Sequence, residues 1–126
     1  MFLKFILAGL GAFLGGGARF LISHYLNQAF QSSFLWGTVA VNILGCFLIG
    51  LVVGLQESRS FFNPLLLLFL TVGFLGGLTT FSSYALEVLM YFLEGKVILG
   101  IIDILLQTLV GIAVVYLGCK LGSVVL

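Results

Sequence analysis

Four long apolar segments, separated by short polar stretches, make up almost the whole chain. They cover about residues 3–26, 34–55, 65–93 and 97–121. About 20 apolar residues are enough for a helix to cross a bilayer. The pattern therefore predicts an all-α membrane protein with four transmembrane helices, organised as a single domain over residues 1–126.

The third apolar segment contains an interruption, because residues 76–80 read Gly-Gly-Leu-Thr-Thr. Glycine in a helix interior is less favourable than alanine by roughly 1 kcal/mol. Irregular backbone at membrane depth persists only where it is buried in protein or lines a polar cavity. We therefore expect a helix break at residues 76–80, and we expect the functional site to lie around it.

Composition supports the membrane assignment and leaves the orientation open. The chain is 62% hydrophobic and 7% charged, which excludes a soluble domain of this size, and its net charge of +1 predicts no nucleic-acid partner. With four spans, Lys4, Arg59 and Lys120 share one side of the membrane, and Arg19 and Lys96 share the opposite side. This weak bias is compatible with insertion in both orientations as an antiparallel homodimer, or equally with one fixed orientation.

Glycine is frequent, and many glycines lie four residues apart within one segment. The pairs are Gly11/Gly15, Gly50/Gly54, Gly73/Gly77 and Gly118/Gly122. Small residues at this spacing allow membrane helices to pack with their backbones in close approach. Four helices packed so tightly leave little room for a pore inside one protomer, so function is expected to need an oligomer.

Two polar residues of the second segment, Thr38 and Asn42, lie one helical turn apart and share a face. An amide at membrane depth is costly unless it finds hydrogen-bond partners. Asn42 is therefore either a contact between helices or a source of two N–H donors for an anion.

The second half of the third segment carries a polar stripe beside an aromatic stripe. The polar stripe consists of Thr79, Ser83 and Glu87, and the aromatic stripe of Phe81, Tyr84, Val88 and Tyr91. Such aromatic stripes commonly face the core or lipid. Because aromatic ring edges are electropositive, rings that border a hydroxyl track also suit a pathway for a dehydrated anion.

Ionisable side chains inside the apolar segments are further candidates for function. Arg19 and Glu87 lie at similar depth, so they either form an ion pair or Arg19 reaches a water-filled vestibule. Asp103 and Gln107 lie one turn apart in the fourth segment, where Asp103 is expected to be close enough to the helix end to reach water.

Three segments, taken in order, resemble the motifs of the CrcB/Fluc fluoride channels. They are residues 16–20 (GGARF), 37–47 (GTVAVNILGCF) and 73–84 (GFLGGLTTFSSY). The resemblance covers essentially the whole chain. It implies a fluoride-selective channel, not an enzyme, that exports fluoride from the cytoplasm by passive electrodiffusion and so lowers fluoride toxicity. It also implies a multi-pass protein in the lipid of the plasma membrane, which is the inner membrane in bacteria.

The same resemblance implies an antiparallel, dual-topology homodimer with two fluoride pathways. It implies a structural Na⁺ at the dimer interface, held by the backbone carbonyls of Gly76 and Thr79 of each subunit. Tyr84 departs from the family's more usual phenylalanine and adds a hydroxyl donor to the ring edge. Gln107 and Thr108 are candidates for the family's polar track along the fourth span.

The fluoride pathway is assigned from the resemblance together with the polar and aromatic stripes. Its residues are Arg19 at the vestibule, then Thr38, Asn42, Phe81, Ser83 and Tyr84. Several modest sites of this kind bind an ion without trapping it.

Two other functions are compatible with a short four-span chain. One is a small proton-coupled exporter that resembles the small multidrug resistance transporters, although the first segment lacks the glutamate essential there and Glu87 is the available candidate. The other is an assembly subunit without transport, in which the glycines and polar residues serve packing alone.

Overall fold

A computed structural model describes residues 1–124, so the last two residues of the predicted domain lie outside it. The helices are α1 (Phe2–Phe30), α2 (Trp36–Arg59), α3 (residues 64–78), α4 (Phe81–Leu93) and α5 (Val97–Val124). The helices α3 and α4 together form the third long apolar helix, Pro64–Leu93. Four helices are thus long and apolar enough to cross a membrane, which confirms the predicted all-α, four-span chain.

Local sequence explains where the helices begin and end. α1 and α2 are each followed by a capping residue in the left-handed conformation, Gln31 (φ 42°) and Ser60 (φ 49°), whose N–H closes the last turn. α3 begins after Asn63, whose Oδ1 accepts the N–H groups of the first turn, and Pro64 follows at the first helical position.

The interruption of the third span is shorter than the sequence predicts. Gly76 and Gly77 are helical, and only Thr79 (ψ 154°) and Thr80 (ψ 117°) adopt extended conformations. Gly77 is used for packing, because an ideal Cβ built on it would lie 2.5 Å from the carbonyl oxygen of Ala12 in α1. The expected break over residues 76–80 is therefore wrong in its extent.

Two stretches have the wider π-helical turn, Phe69–Leu75 in α3 and Leu106–Val110 in α5. Such turns are rare and are frequently found at functional sites. The first stretch leads into the interruption of the third span. The second carries Gln107 and Thr108, which the sequence singles out in the fourth span.

Close backbone contacts join the helices in two pairs, α1 with α3 and α2 with α5. An ideal Cβ on Gly15 would lie 2.0 Å from the carbonyl oxygen of Phe74, and one on Gly54 would lie 2.2 Å from that of Cys119. The predicted glycine pairs therefore lie within these two helix contacts, where Gly11 is a direct neighbour of Gly73 and Gly54 of Gly122, and the other glycines face backbone atoms of other residues. Because the neighbouring atoms belong to backbone, they cannot move aside cheaply.

A Gly15→Ala variant is therefore expected to be destabilised by about 2 kcal/mol or more, because its methyl group overlaps a backbone carbonyl. Gly17→Ala is the matched control, since nothing lies within 4 Å of an ideal Cβ there. Thermal unfolding in detergent, followed by circular dichroism, measures both variants. Equal stability of the two would contradict the close packing of α1 on α3.

The interior of the protomer is small, and most large apolar side chains point outward. The buried hydrophobic residues in the part of the chain that the structure describes are Phe34, Val39, Val41, Leu75, Leu78 and Tyr91. Large exposed residues such as Phe5, Phe13 and Ile98 occur on α1 and α5. A surface of this kind requires lipid or another protein copy against it.

Candidate functional site

Two cavities meet at the interruption of the third span. One of about 380 Å³ is bounded by Asn42, Gly76, Thr79, Phe81, Tyr84 and Gln107, among others. Another of about 400 Å³ is bounded by Arg19, Ser23, His24, Thr38, Ser83 and Glu87, among others. Thr80 lies on the wall of both. We call them the aromatic cavity and the basic cavity. Every residue predicted for the pathway or the Na⁺ site borders one of them.

Asn42 of α2 binds the main chain at the interruption through both ends of its amide. Its Oδ1 accepts the N–H of Thr80 at 2.8 Å, and its Nδ2 donates to the carbonyl oxygen of Thr80 at 3.1 Å. Nδ2 also donates to Oε1 of Gln107 in α5 at 2.5 Å. Asn42 therefore connects three of the four spans, and both of its N–H groups are engaged within the chain.

These contacts change the hydrogen bonding of two backbone carbonyls. In a continuous helix the N–H of Thr80 would donate to Gly76, and the N–H of Ser83 would donate to Thr79. Here the N–H of Thr80 donates to Asn42, and the N–H of Ser83 donates to Oγ1 of Thr80 at 3.2 Å. The carbonyl oxygens of Gly76 and Thr79 thus lose the N–H groups that a helix would direct at them.

Phe81 and Tyr84 border the aromatic cavity from the first turn of α4. Their ring centroids are 5.5 Å apart and their planes make an angle of 70°, so the edge of one ring meets the face of the other. Phe81 is 78% exposed, although it borders the cavity. Its ring is therefore accessible from outside the protomer.

Tyr91 belongs to the same aromatic stripe in the sequence but has a separate position in the structure. It is buried, its ring stacks on Phe34 with centroids 6.0 Å apart, and its Oη accepts the N–H of Leu35 at 2.7 Å. Tyr91 therefore anchors the start of α2 and does not border either cavity.

In the basic cavity, the carboxylate of Glu87 is bound by a hydroxyl group. Thr38, which is buried, donates a hydrogen bond from Oγ1 to Oε1 of Glu87. Arg19 borders the same cavity, but within residues 1–124 it forms no ion pair with Glu87. The predicted ion pair is thus absent from the described residues, and the vestibule position of Arg19 stays a prediction. Arg19 Nε and Glu87 Oε2 are buried and have no hydrogen-bond partner among the described residues.

Asp103 lies in the interior of the protomer, although the sequence predicts that its side chain reaches water. It is 1% exposed, and its Oδ1 accepts a hydrogen bond from Nε2 of Gln107 at 2.8 Å. The predicted access to water is wrong. The sequence indicates how deep a residue lies along α5, but it does not show that α4 packs against α5 and covers this residue. Asp103 is the residue of this region that the sequence explains least well. The signal available for it was its four-residue spacing from Gln107.

Comparison with known proteins agrees with the resemblance. Residues 6–119 match the family described as CrcB-like protein, Camphor Resistance (CrcB). A protein of Chlorobium phaeobacteroides is 40% identical over 94% of this chain and 91% of its own length. A protein of Clostridium perfringens is 37% identical over 94% of this chain and 93% of its own length. A third, from Nitratidesulfovibrio vulgaris, is 38% identical over 97% of this chain and 98% of its own length.

All three relatives carry the name fluoride-specific ion channel FluC, which describes an ion channel and not an enzyme. The matched segment includes the second and third spans, most of the first and fourth, and all the residues that border both cavities. The chain therefore belongs to the CrcB-like family.

Proposed function

We propose that this chain forms a fluoride-selective channel that carries fluoride out of the cytoplasm by passive electrodiffusion. The observation that carries the proposal is the meeting of the basic and aromatic cavities at Thr80, with hydroxyl, amide and aromatic groups on their walls. The relatives named as fluoride-specific channels support the choice of ion. The four apolar helices support a multi-pass position, which we assign to the bacterial inner membrane.

Fluoride is small and strongly hydrated, so its pathway must replace water with other donors. In the basic cavity Arg19 attracts the anion, and the hydroxyl group of Ser83 is available as a donor at the wall. The hydroxyl group of Thr38 donates to Glu87, so an anion that binds Thr38 must replace that carboxylate as the acceptor. In the aromatic cavity the electropositive ring edge of Phe81 and the hydroxyl group of Tyr84 replace water around the anion. Each site is modest in strength, which favours release as well as entry.

Asn42 lies between these two groups of residues. Both of its N–H groups already donate, one to Thr80 and one to Gln107. An anion that passes Asn42 therefore competes with a carbonyl oxygen for an N–H group and is held weakly. Weak binding between the two cavities suits a conductive pathway.

The working unit that we propose is an antiparallel homodimer with dual topology. The outward exposure of Phe81 and of large apolar side chains supports a second protein copy against this face. The nearly balanced basic residues on the two sides of the membrane support insertion in both orientations.

A structural Na⁺ between the two protomers fits the main chain at the interruption. The carbonyl oxygens of Gly76 and Thr79 are the two groups whose helical N–H donors are taken by Asn42 and Thr80. Backbone carbonyls without N–H donors, at the end of a broken helix, are natural ligands for Na⁺. When bound, the ion would supply positive charge that fixes the two interruptions against each other.

Fluoride efflux from liposomes tests the proposed function. The purified protein is reconstituted with internal potassium fluoride, valinomycin is added as a potassium shunt, and a fluoride electrode follows the release. Rapid loss of fluoride with negligible loss of chloride is expected. No fluoride release from folded protein would overturn the proposal and would direct attention to proton-coupled export.

The exporter is separated from the channel by Glu87→Gln, because the exporter needs a carboxylate that binds and releases protons. In a channel this variant keeps electrogenic fluoride flux that needs no proton gradient. Loss of transport together with loss of its coupling to a proton gradient would favour the exporter. The flux of the wild-type protein under the same gradients is the control.

Dual topology predicts that a cysteine tag at the N-terminus is labelled equally from both sides of the membrane. The reason is that Lys4, Arg59 and Lys120 are offset by Arg19 and Lys96, so neither orientation is strongly preferred. Labelling of intact and permeabilised cells with a membrane-impermeant maleimide measures the two fractions, in a variant with Cys46 and Cys119 replaced by alanine. Labelling from a single side would contradict the antiparallel homodimer.

A further inference from the structure

A series of hydrogen bonds begins at a buried carboxyl group in α5 and leads to the interruption of the third span. Oδ1 of Asp103 accepts from Nε2 of Gln107 at 2.8 Å, and Oε1 of Gln107 accepts from Nδ2 of Asn42 at 2.5 Å. The series of hydrogen bonds ends at Thr80, whose N–H donates to Oδ1 of Asn42 at 2.8 Å. Asp103 itself does not border the aromatic cavity.

The groups at the two ends of this series, Asp103 and Thr80, determine which partner donates and which accepts in each hydrogen bond. At one end the carboxyl oxygen of Asp103 accepts, so Gln107 turns its NH₂ group toward Asp103 and its oxygen toward Asn42. At the opposite end the backbone N–H of Thr80 requires the oxygen of Asn42, so the NH₂ group of Asn42 faces Gln107. Both amides are thus held in a single orientation.

We propose that Asp103 is a positioning residue that fixes the orientation of Gln107 and thereby keeps an N–H group of Asn42 occupied. This inference rests on the proposed fluoride channel. If the amide of Gln107 turned over, its NH₂ group and that of Asn42 would face each other without an acceptor between them. Two converging donors of this kind form a site that an anion fills. Asp103 therefore keeps the affinity for fluoride beside Asn42 low, so that the ion leaves readily.

Asp103→Asn is the first test, because asparagine has nearly the same size and its amide can donate to Oε1 of a turned Gln107. We expect the half-saturating fluoride concentration in liposome efflux to fall about threefold to tenfold, as expected for one hydrogen bond. The maximal flux is expected to fall as well, because the ion leaves more slowly. A merely structural role would lower the yield of dimer or scale the flux without changing the half-saturating concentration.

Gln107→Leu is the second test and does not depend on the folding of the first variant. It removes the oxygen that occupies the N–H group of Asn42, so it is also expected to lower the half-saturating concentration. Adding Asp103→Asn to Gln107→Leu should then have no further effect, because the residue that transmits the orientation is absent.

Three results would overturn the inference while the proposed function stands. The first two are an unchanged half-saturating concentration in Asp103→Asn and an unchanged one in Gln107→Leu. The third is that Asp103→Asn shifts the half-saturating concentration equally in the wild-type protein and in Gln107→Leu. The last result would mean that the charge of Asp103 acts on fluoride directly. Wild-type protein that releases no fluoride would instead refute the proposed function, and the inference with it.

Discussion

Replacing Phe81 by isoleucine is expected to lower fluoride efflux at least about 30-fold while the protein stays folded and dimeric. Isoleucine keeps apolar bulk but has no electropositive ring edge to present to the anion. A loss of about 2 kcal/mol at the barrier corresponds to a factor of about 30 in rate. The liposome assay measures the flux, and size-exclusion chromatography measures the oligomeric state.

Phe13→Ile is the matched control, because Phe13 is also 78% exposed but borders neither cavity. It should keep the flux of the wild-type protein. Undiminished flux in Phe81→Ile would remove the aromatic ring from the pathway. Equal losses in both variants would indicate a general effect on the outer surface of the protomer.

Asn42→Asp is expected to lower the flux further, by at least about 100-fold. The substitution removes two N–H groups and turns a carboxylate oxygen toward the carbonyl oxygens of Thr80 and Gln107. It also places a negative charge beside the path of an anion, where repulsion at about 4 Å amounts to about 4 kcal/mol at an effective dielectric constant of about 20. Fluoride efflux from liposomes measures the loss.

The same exchange at Asn63 is the control for Asn42→Asp. Asn63 caps the start of α3 by accepting N–H groups through its side-chain oxygen, and aspartate caps a helix equally well. Asn63→Asp should therefore conduct and unfold like the wild-type protein. Normal flux in Asn42→Asp would mean that Asn42 only joins helices and lies outside the pathway.

The parts of this structure that depend on spacing along one helix could be predicted from the sequence. Apolar runs predict the four helices, and glycines four residues apart predict helix faces that pack closely, although the pairing of α1 with α3 and of α2 with α5 comes from the structure. Both are properties of one helix face, which periodicity describes directly.

The parts that depend on contacts between spans could not be predicted. The composition of residues 76–80 predicts that Gly76 and Gly77 break the helix. The extended residues are instead Thr79 and Thr80, because Asn42 of a different helix binds the backbone of Thr80. The interior position of Asp103 likewise depends on the packing of α4 against α5. Hydrogen bonds between residues 38 to 65 positions apart leave no periodic signal in a single sequence.

The side chain of Asn42 binds residue 80 only through main-chain atoms of residue 80, its N–H and its carbonyl oxygen. Every amino acid except proline offers both groups, so this attachment constrains the side chain at position 80 very little during evolution. The hydroxyl of Thr80 has the separate task of capping α4, which uncharged serine or asparagine can also perform. Position 80 should therefore tolerate exchange among small capping residues, whereas position 42 should remain an amide throughout the lineage of this chain.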